Sequence, residues 1–222
     1  MKAQFSMLGS SIFAFCKGLG LLILLFLAVY VPVFAVAGAL RHSPELVVPV
    51  VIVLSLGIAI CLIAFFIRRR GMSVAEFGLR LCTPVYVVVA LVAGLPLALA
   101  ATYCSIHAHE AGPLAGLSIS PAISILYFGI GAPIQEEVIF RGLLQSVLAR
   151  SFALREASAH AAPLIVALLF SASHLVVGPV TAASALLLGI VAGELRLRSA
   201  SLLPAVIVHA LFNLSGMFWP QA

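Results

Sequence analysis

Two adjacent glutamates and an arginine, Glu136, Glu137 and Arg141, lie in the apolar stretch Pro133-Ile134-Gln135-Glu136-Glu137-Val138-Ile139-Phe140-Arg141. Ionisable side chains are costly within a bilayer, so those present there face the bundle interior and mark a site by default. The chain has seven acidic residues, none of them aspartate, so a side-by-side pair stands out. Glu137 and Arg141 are four residues apart and meet on one helix face, where they can pair out of water. Glu136 is rotated about 100° from Glu137. It points toward Pro133 and Phe140 and is free to act as a general base. His174 follows Phe170 by four residues and His209 precedes Asn213 by four, so each pair shares a face of its own helix.

If these three helices pack together, a carboxylate, two imidazoles and an amide converge inside the membrane. Such a set can activate water. Glu136 takes the proton, His174 orients the water, and His209 and Asn213 donate to the oxyanion of a tetrahedral intermediate. Each residue alone has an ordinary explanation, since interior histidines and ion pairs often serve only to join helices. The conjunction and the spacing point to a site. Two histidines and a glutamate are also a zinc set, with Glu136, His174 and His209 as its ligands. The chain lacks the HExxH arrangement, and Asn213 suits an oxyanion better than zinc. Metal-free chemistry is the favoured expectation and zinc the alternative.

The elements that must position these residues are membrane helices. With 64% hydrophobic and 9% charged residues and mean hydropathy +1.25, the chain is not a soluble domain, which carries about a quarter charged residues. The expected fold is all-α, a polytopic transmembrane helical bundle. Apolar runs predict seven spans, at 19–40, 46–67, 83–103, 119–144, 161–177, 179–195 and 200–218. An eighth element can hide in residues 3–18. The first run is too long for a signal-peptide core and is expected to stay as a span. The segment 71–82 is too polar to span and predicts a short interfacial helix, with Ser73 and Glu76 forming a capping box. N-terminal helices over 1–71 and a catalytic core over 72–222 are expected to form one continuous membrane domain. Cys16, Cys61, Cys82 and Cys104 are scattered without metal or disulfide spacing and are expected to serve packing.

A net charge of +5 can suggest a nucleic-acid partner. The basic residues instead fall in short clusters between apolar runs, where they act as topology signals, and no nucleic acid is expected. Lys2 and Lys17 precede the first span. Arg68, Arg69, Arg70 and Arg80 separate the second and third, Arg150 and Arg155 the fourth and fifth, and Arg196 and Arg198 the sixth and seventh. The alternate connections hold Arg41 with Glu45, then His107, His109 and Glu110, then Gly178-Pro179. A multi-pass protein of the cell (inner) membrane is expected, N-terminus cytoplasmic and C-terminus on the opposite side. His42, His107, His109 and His160 are expected in loops without a role, and Glu194, Arg196 and Arg198 at a membrane boundary.

At its polar residues the chain resembles the CPBP family of intramembrane endopeptidases, which includes the type II CAAX prenyl proteases and many bacterial Abi and bacteriocin-immunity proteins. The family's EExxxR motif is matched by Glu136-Glu137-Val138-Ile139-Phe140-Arg141, its FxxxH by Phe170-Ser171-Ala172-Ser173-His174, and its HxxxN by His209-Ala210-Leu211-Phe212-Asn213. The run from Gly189 to Pro204 is similar to the family's lead into the third motif, and Gly78-Leu79-Arg80 to an earlier element. The likeness covers about residues 72–218. It implies a CAAX-protease-like bundle in which glutamate-activated water hydrolyses a peptide bond. By the same resemblance Glu136 is the base, His174 its partner, and His209 and Asn213 the oxyanion donors, with Glu137, Arg141 and Phe170 in support. The implied partners are membrane lipids and a membrane protein or peptide substrate, lipid-modified or carrying a C-terminal sorting segment. Two rivals stand beside this reading: a non-proteolytic immunity or scaffold protein of the same fold, and a proton-coupled transporter. The transporter ranks last, because no inverted repeat or matching broken helices are seen.

Overall fold

The computed structural model describes residues 2–108, 121–151 and 159–218, with side chains from Cys16 onward save those of Pro44, Pro121 and Phe218. Regular structure among the described residues is helical throughout. We number the main helices α1 (Lys2–Ala39), α2 (Pro44–Arg70), α3 (Pro84–His107), α4 (121–151), α5 (Ala161–Ser173), α6 (Pro179–Ser199) and α7 (Leu203–Phe218). His109, Glu110, Arg155 and the first residues of the 119–144 run lie outside the described residues.

Five stretches are long and apolar enough to cross a membrane: Cys16–Ala39, Glu45–Arg70, Pro84–His107, Ala122–Ser151 and Pro179–Ser199. The chain is thus an all-α multi-pass membrane protein, but not with seven equal spans. Helix α5 has 13 residues and α7 has 16. The run 161–177 overshoots because Leu175, Val176 and Val177 are apolar yet form a turn, in which the Val177 and Gly178 amides donate to the His174 carbonyl. Residues 3–18 add no eighth element. They continue directly into α1, whose first proline is Pro32.

Helix α4 runs through the core. Its Phe140, Leu143, Leu144 and Leu148 pack among Leu22, Leu25 and Val29 of α1, Val166 and Phe170 of α5, and Leu188 and Ala192 of α6. Lipid supplies little hydrophobic drive between helices, so close packing must do that work, and small residues permit it. A Cβ on Gly189 of α6 would lie 2.9 Å from the Ala167 Cβ of α5, so only glycine allows that approach.

One end of the bundle is fastened by polar bonds. The capping box forms: the Ser73 amide donates to Glu76 Oε2 at 2.6 Å and the Glu76 amide to Ser73 Oγ at 3.2 Å. It caps a single 3₁₀ turn, Val74–Phe77, rather than a helix, because Gly78 enters the left-handed region at φ 76° and ends it. Arg150 donates to Glu76 Oε1 at 2.6 Å and to the Arg70 carbonyl at 3.3 Å. Arg196 donates to the Glu76 carbonyl at 2.7 Å, and the Leu202 amide to the Gly78 carbonyl at 2.9 Å. Connections that carry Arg70, Arg80, Arg150 and Arg196 therefore share one end, as the charge alternation requires. Arg196 is not a free boundary marker. It is 8% exposed and bolts α6 to the turn before α3. His160 is not idle either, since its Nδ1 lies 2.6 Å from Glu194 Oε1.

The Ser73 amide, seconded by Arg150, holds the Glu76 carboxyl below its ordinary value of 4.5. A depressed carboxyl contributes stability above its unfolded value and loses it as pH falls through the folded value. Acidification from about pH 6 to about pH 3 should therefore speed amide exchange over residues 73–78, after correction for intrinsic rates. Glu76→Gln should remove that extra acceleration.

Candidate active site

Helix α4 reaches its polar stretch through a π segment, Ile125–Gly131, and leaves it through another, Val138–Leu144, with Ala132–Glu137 in α geometry between them. Pro133 accounts for the first. In a regular α-helix its ring would press on the carbonyl of Gly129 and leave it without a donor. The wider register relieves this, with the Ala132 amide donating to the Tyr127 carbonyl five residues back. In that register Pro133 owes a donor to Phe128 and has none. Asn213 of α7 supplies it, donating from Nδ2 to the Phe128 carbonyl at 2.9 Å. An amide nitrogen carries two hydrogens, so one remains. Asn213, expected as an oxyanion donor alone, also fastens α7 to α4. The sequence signal was present: a proline inside a span leaves a carbonyl that some polar side chain must satisfy.

Glu137 has no exposed surface. Arg141 Nη1 lies 3.0 Å from its Oε1, and His209 Nδ1 lies 2.7 Å from the same oxygen. A carboxylate accepts, so the ring donates from Nδ1. The other ring nitrogen, Nε2, faces Glu136 Oε2 at 3.7 Å. Glu136 is the more open of the pair, with 22% of its side chain exposed. Its Oε2 is itself buried and has no hydrogen-bond partner. Adjacent glutamates thus occupy unlike surroundings, one paired and sealed, the other half open.

Phe170 forms the floor between the motifs. The Arg141 guanidinium lies over its ring at 4.6 Å, and its ring meets Phe140 at 4.9 Å and His209 at 5.7 Å, both edge-on. His174 sits just past the end of α5, its ring 4.5 Å from that of Phe170. Its Nδ1 donates to the Phe170 carbonyl at 2.8 Å, which leaves Nε2 for another partner. A full span over 161–177 would set His174 at a different depth from Arg141. The short α5 removes that mismatch, because Phe170 touches Arg141 on one side and His174 on the other. Glu136, Glu137, Arg141 and His209 form one polar chain. His174 joins it through the Phe170 ring, and Asn213 lies one turn beyond His209.

One neighbour had no signal in the sequence. Tyr30 of α1 lies beside this stretch, its ring 6.2 Å from that of Phe140. Nδ1 of His174 and Nδ1 of His209 are both committed, which leaves each ring its Nε2. Among the described residues no three His, Cys, Asp or Glu side chains group closely enough to hold a metal ion.

A family model described as "Type II CAAX prenyl endopeptidase Rce1-like" matches residues 118–215, the stretch that carries all three motifs. No curated protein and no solved structure matches the chain.

Arg141→Ala strands a sealed carboxylate and should cost about 3–5 kcal/mol, read as lower membrane abundance and thermal midpoint. Asn213→Ala should cost about 1–3 kcal/mol by orphaning the Phe128 carbonyl. In a Pro133→Ala background the chain regains its own amide, and the same Asn213→Ala change should cost measurably less. Equal costs in both backgrounds would remove the link between proline and asparagine.

Proposed function

We propose that this chain, whose residues 118–215 match the family model described as "Type II CAAX prenyl endopeptidase Rce1-like", hydrolyses a peptide bond of a membrane-associated protein or peptide with water activated by Glu136. The observation that carries the reading is the half-open Glu136 carboxylate. Its Oε2 faces an imidazole nitrogen at 3.7 Å, and its side chain is 22% exposed where that of Glu137 is sealed. A water seated against Glu136 loses a proton to it, and the hydroxide attacks the scissile carbonyl carbon. His174 Nε2 orients that water. The oxyanion then accepts from His209 Nε2 and from the remaining Asn213 hydrogen, and Glu136 returns its proton to the leaving amine.

The bond of His209 Nδ1 to Glu137 sets a condition on this scheme. Donation from Nε2 needs the doubly protonated ring. With that ring, two carboxylates and one guanidinium, the buried charges sum to zero. Glu137 and Arg141 act by holding His209 in place, and Phe170 by fixing the spacing of the two imidazoles. Chemistry is metal-free in this reading. The basic end faces the cytoplasm, so the N-terminus is cytoplasmic and the C-terminus opposite. Lipid-modified chains and C-terminal sorting segments are the substrate classes to screen.

Glu136→Gln should abolish cleavage of a membrane-peptide library in liposomes while leaving the thermal midpoint within a few degrees of wild type. A strong chelator should leave wild-type cleavage intact; loss with chelator would restore the zinc reading. No cleavage by folded wild type would favour the scaffold instead.

A further inference from the structure

Helix α5 stops at Ser173, and the manner of its ending decides which nitrogen His174 presents. In a continuing helix the His174 amide would bond the Phe170 carbonyl four residues back. Here that amide donates to the Ser171 carbonyl at 3.0 Å, one residue nearer, in the tightened form of a last turn. The Phe170 carbonyl thus loses its helical donor, on a residue with no exposed surface. Two side chains take the place of the amide. Ser173 Oγ donates to this carbonyl at 2.7 Å and His174 Nδ1 at 2.8 Å. A carbonyl oxygen has two lone pairs and accepts both. The donors also meet each other, with Ser173 Oγ 3.3 Å from His174 Nδ1. Ser171 fastens the same turn to α6, its Oγ donating to the Ala182 carbonyl at 2.7 Å.

A single hydrogen bond leaves an imidazole two ways to lose its setting. The proton can move to Nε2, or the ring can turn over and bring a carbon to the carbonyl. Ser173 opposes both. While its hydrogen goes to the carbonyl, its oxygen keeps a lone pair for the hydrogen on Nδ1. A bare Nδ1 can draw the serine hydrogen only by stripping the buried carbonyl of both donors, and a turned ring sets carbon against two polar atoms. We propose that Ser173 is a positioning residue for His174: with the Phe170 carbonyl it holds the ring protonated on Nδ1 and keeps Nε2 an acceptor for the attacking water. The consequence for rate rests on the proposed hydrolysis; the state of the ring does not. An acceptor at Nε2 takes one hydrogen of the water while Glu136 takes the other, which leaves an oxygen lone pair for the scissile carbonyl.

The full chain in liposomes, carrying isotope-labelled histidine, tests this by nitrogen magnetic resonance, which separates protonated from bare ring nitrogens. Comparison with His174→Gln identifies the His174 signals among those of six histidines. Wild type should show a protonated Nδ1 and a bare Nε2. Ser173→Ala should move a measurable share of the ring to the opposite form, and Ser173→Thr, which keeps the hydroxyl, should restore the wild-type ratio. In cleavage assays Ser173→Ala should lower kcat about 3-fold to 10-fold, the worth of one hydrogen bond, with KM unchanged and Ser173→Thr restoring the rate. A ratio in Ser173→Ala equal to wild type overturns the proposal, as does a wild-type ring protonated on Nε2 alone. A shifted ratio with unchanged kcat overturns the link to the water. If wild type cleaves nothing, the hydrolytic reading fails separately and the ratio alone decides the role of Ser173.

Discussion

A carboxylate with no exposed surface persists in a membrane protein only if its neighbours satisfy it, and Glu137 recruits those neighbours from three helices. Arg141 comes from its own helix and His209 from α7. Phe170 of α5 lies under the guanidinium. Removing water from such a group costs several kcal/mol before any pairing is counted. The three helices therefore have one satisfactory packing at this depth. That packing turns His209 Nε2 toward Glu136. The sealed charge does no chemistry itself in the proposed reaction, yet it sets the place of His209, which does.

The polar chain was legible in the sequence because its members are local pairs. Glu137 with Arg141, Phe170 with His174 and His209 with Asn213 are each four apart, and helical geometry brings such residues together without knowledge of the rest. Span lengths were less legible. Hydropathy counts apolar residues whether or not they are helical, and Leu175 and Val176, 62% and 92% exposed, are apolar turn residues. Arg196 misled for the opposite reason. Charge at a span end reads as a flank, and nothing local tells that its guanidinium is spent on a carbonyl 120 residues away. Tyr30 shows the limit of sequence reading most plainly. A single phenol in an apolar run comes to lie beside the polar stretch only through the packing of α1 on α4.

The π segments mark where local and distant requirements meet. Pro133 disturbs the helix beside the adjacent glutamates, and the disturbance leaves a carbonyl that draws Asn213 across from α7. Bulges of this kind concentrate at functional sites because they re-aim side chains without ending the helix. The second π segment, Val138–Leu144, has no proline to explain it and left no mark in the residue pattern.

The shortness of α5 and α7 has a consequence for the lipid around them. Thirteen helical residues rise only about 20 Å, against a hydrocarbon core about 30 Å thick. A bilayer meeting such a helix thins toward it or lets the headgroup region sink alongside. His174 stands at the end of α5, where such sinking would bring interfacial water. In the proposed reaction, a bilayer thinned in this way would shorten the hydrocarbon that a membrane-anchored chain crosses to reach the depth of the buried charges.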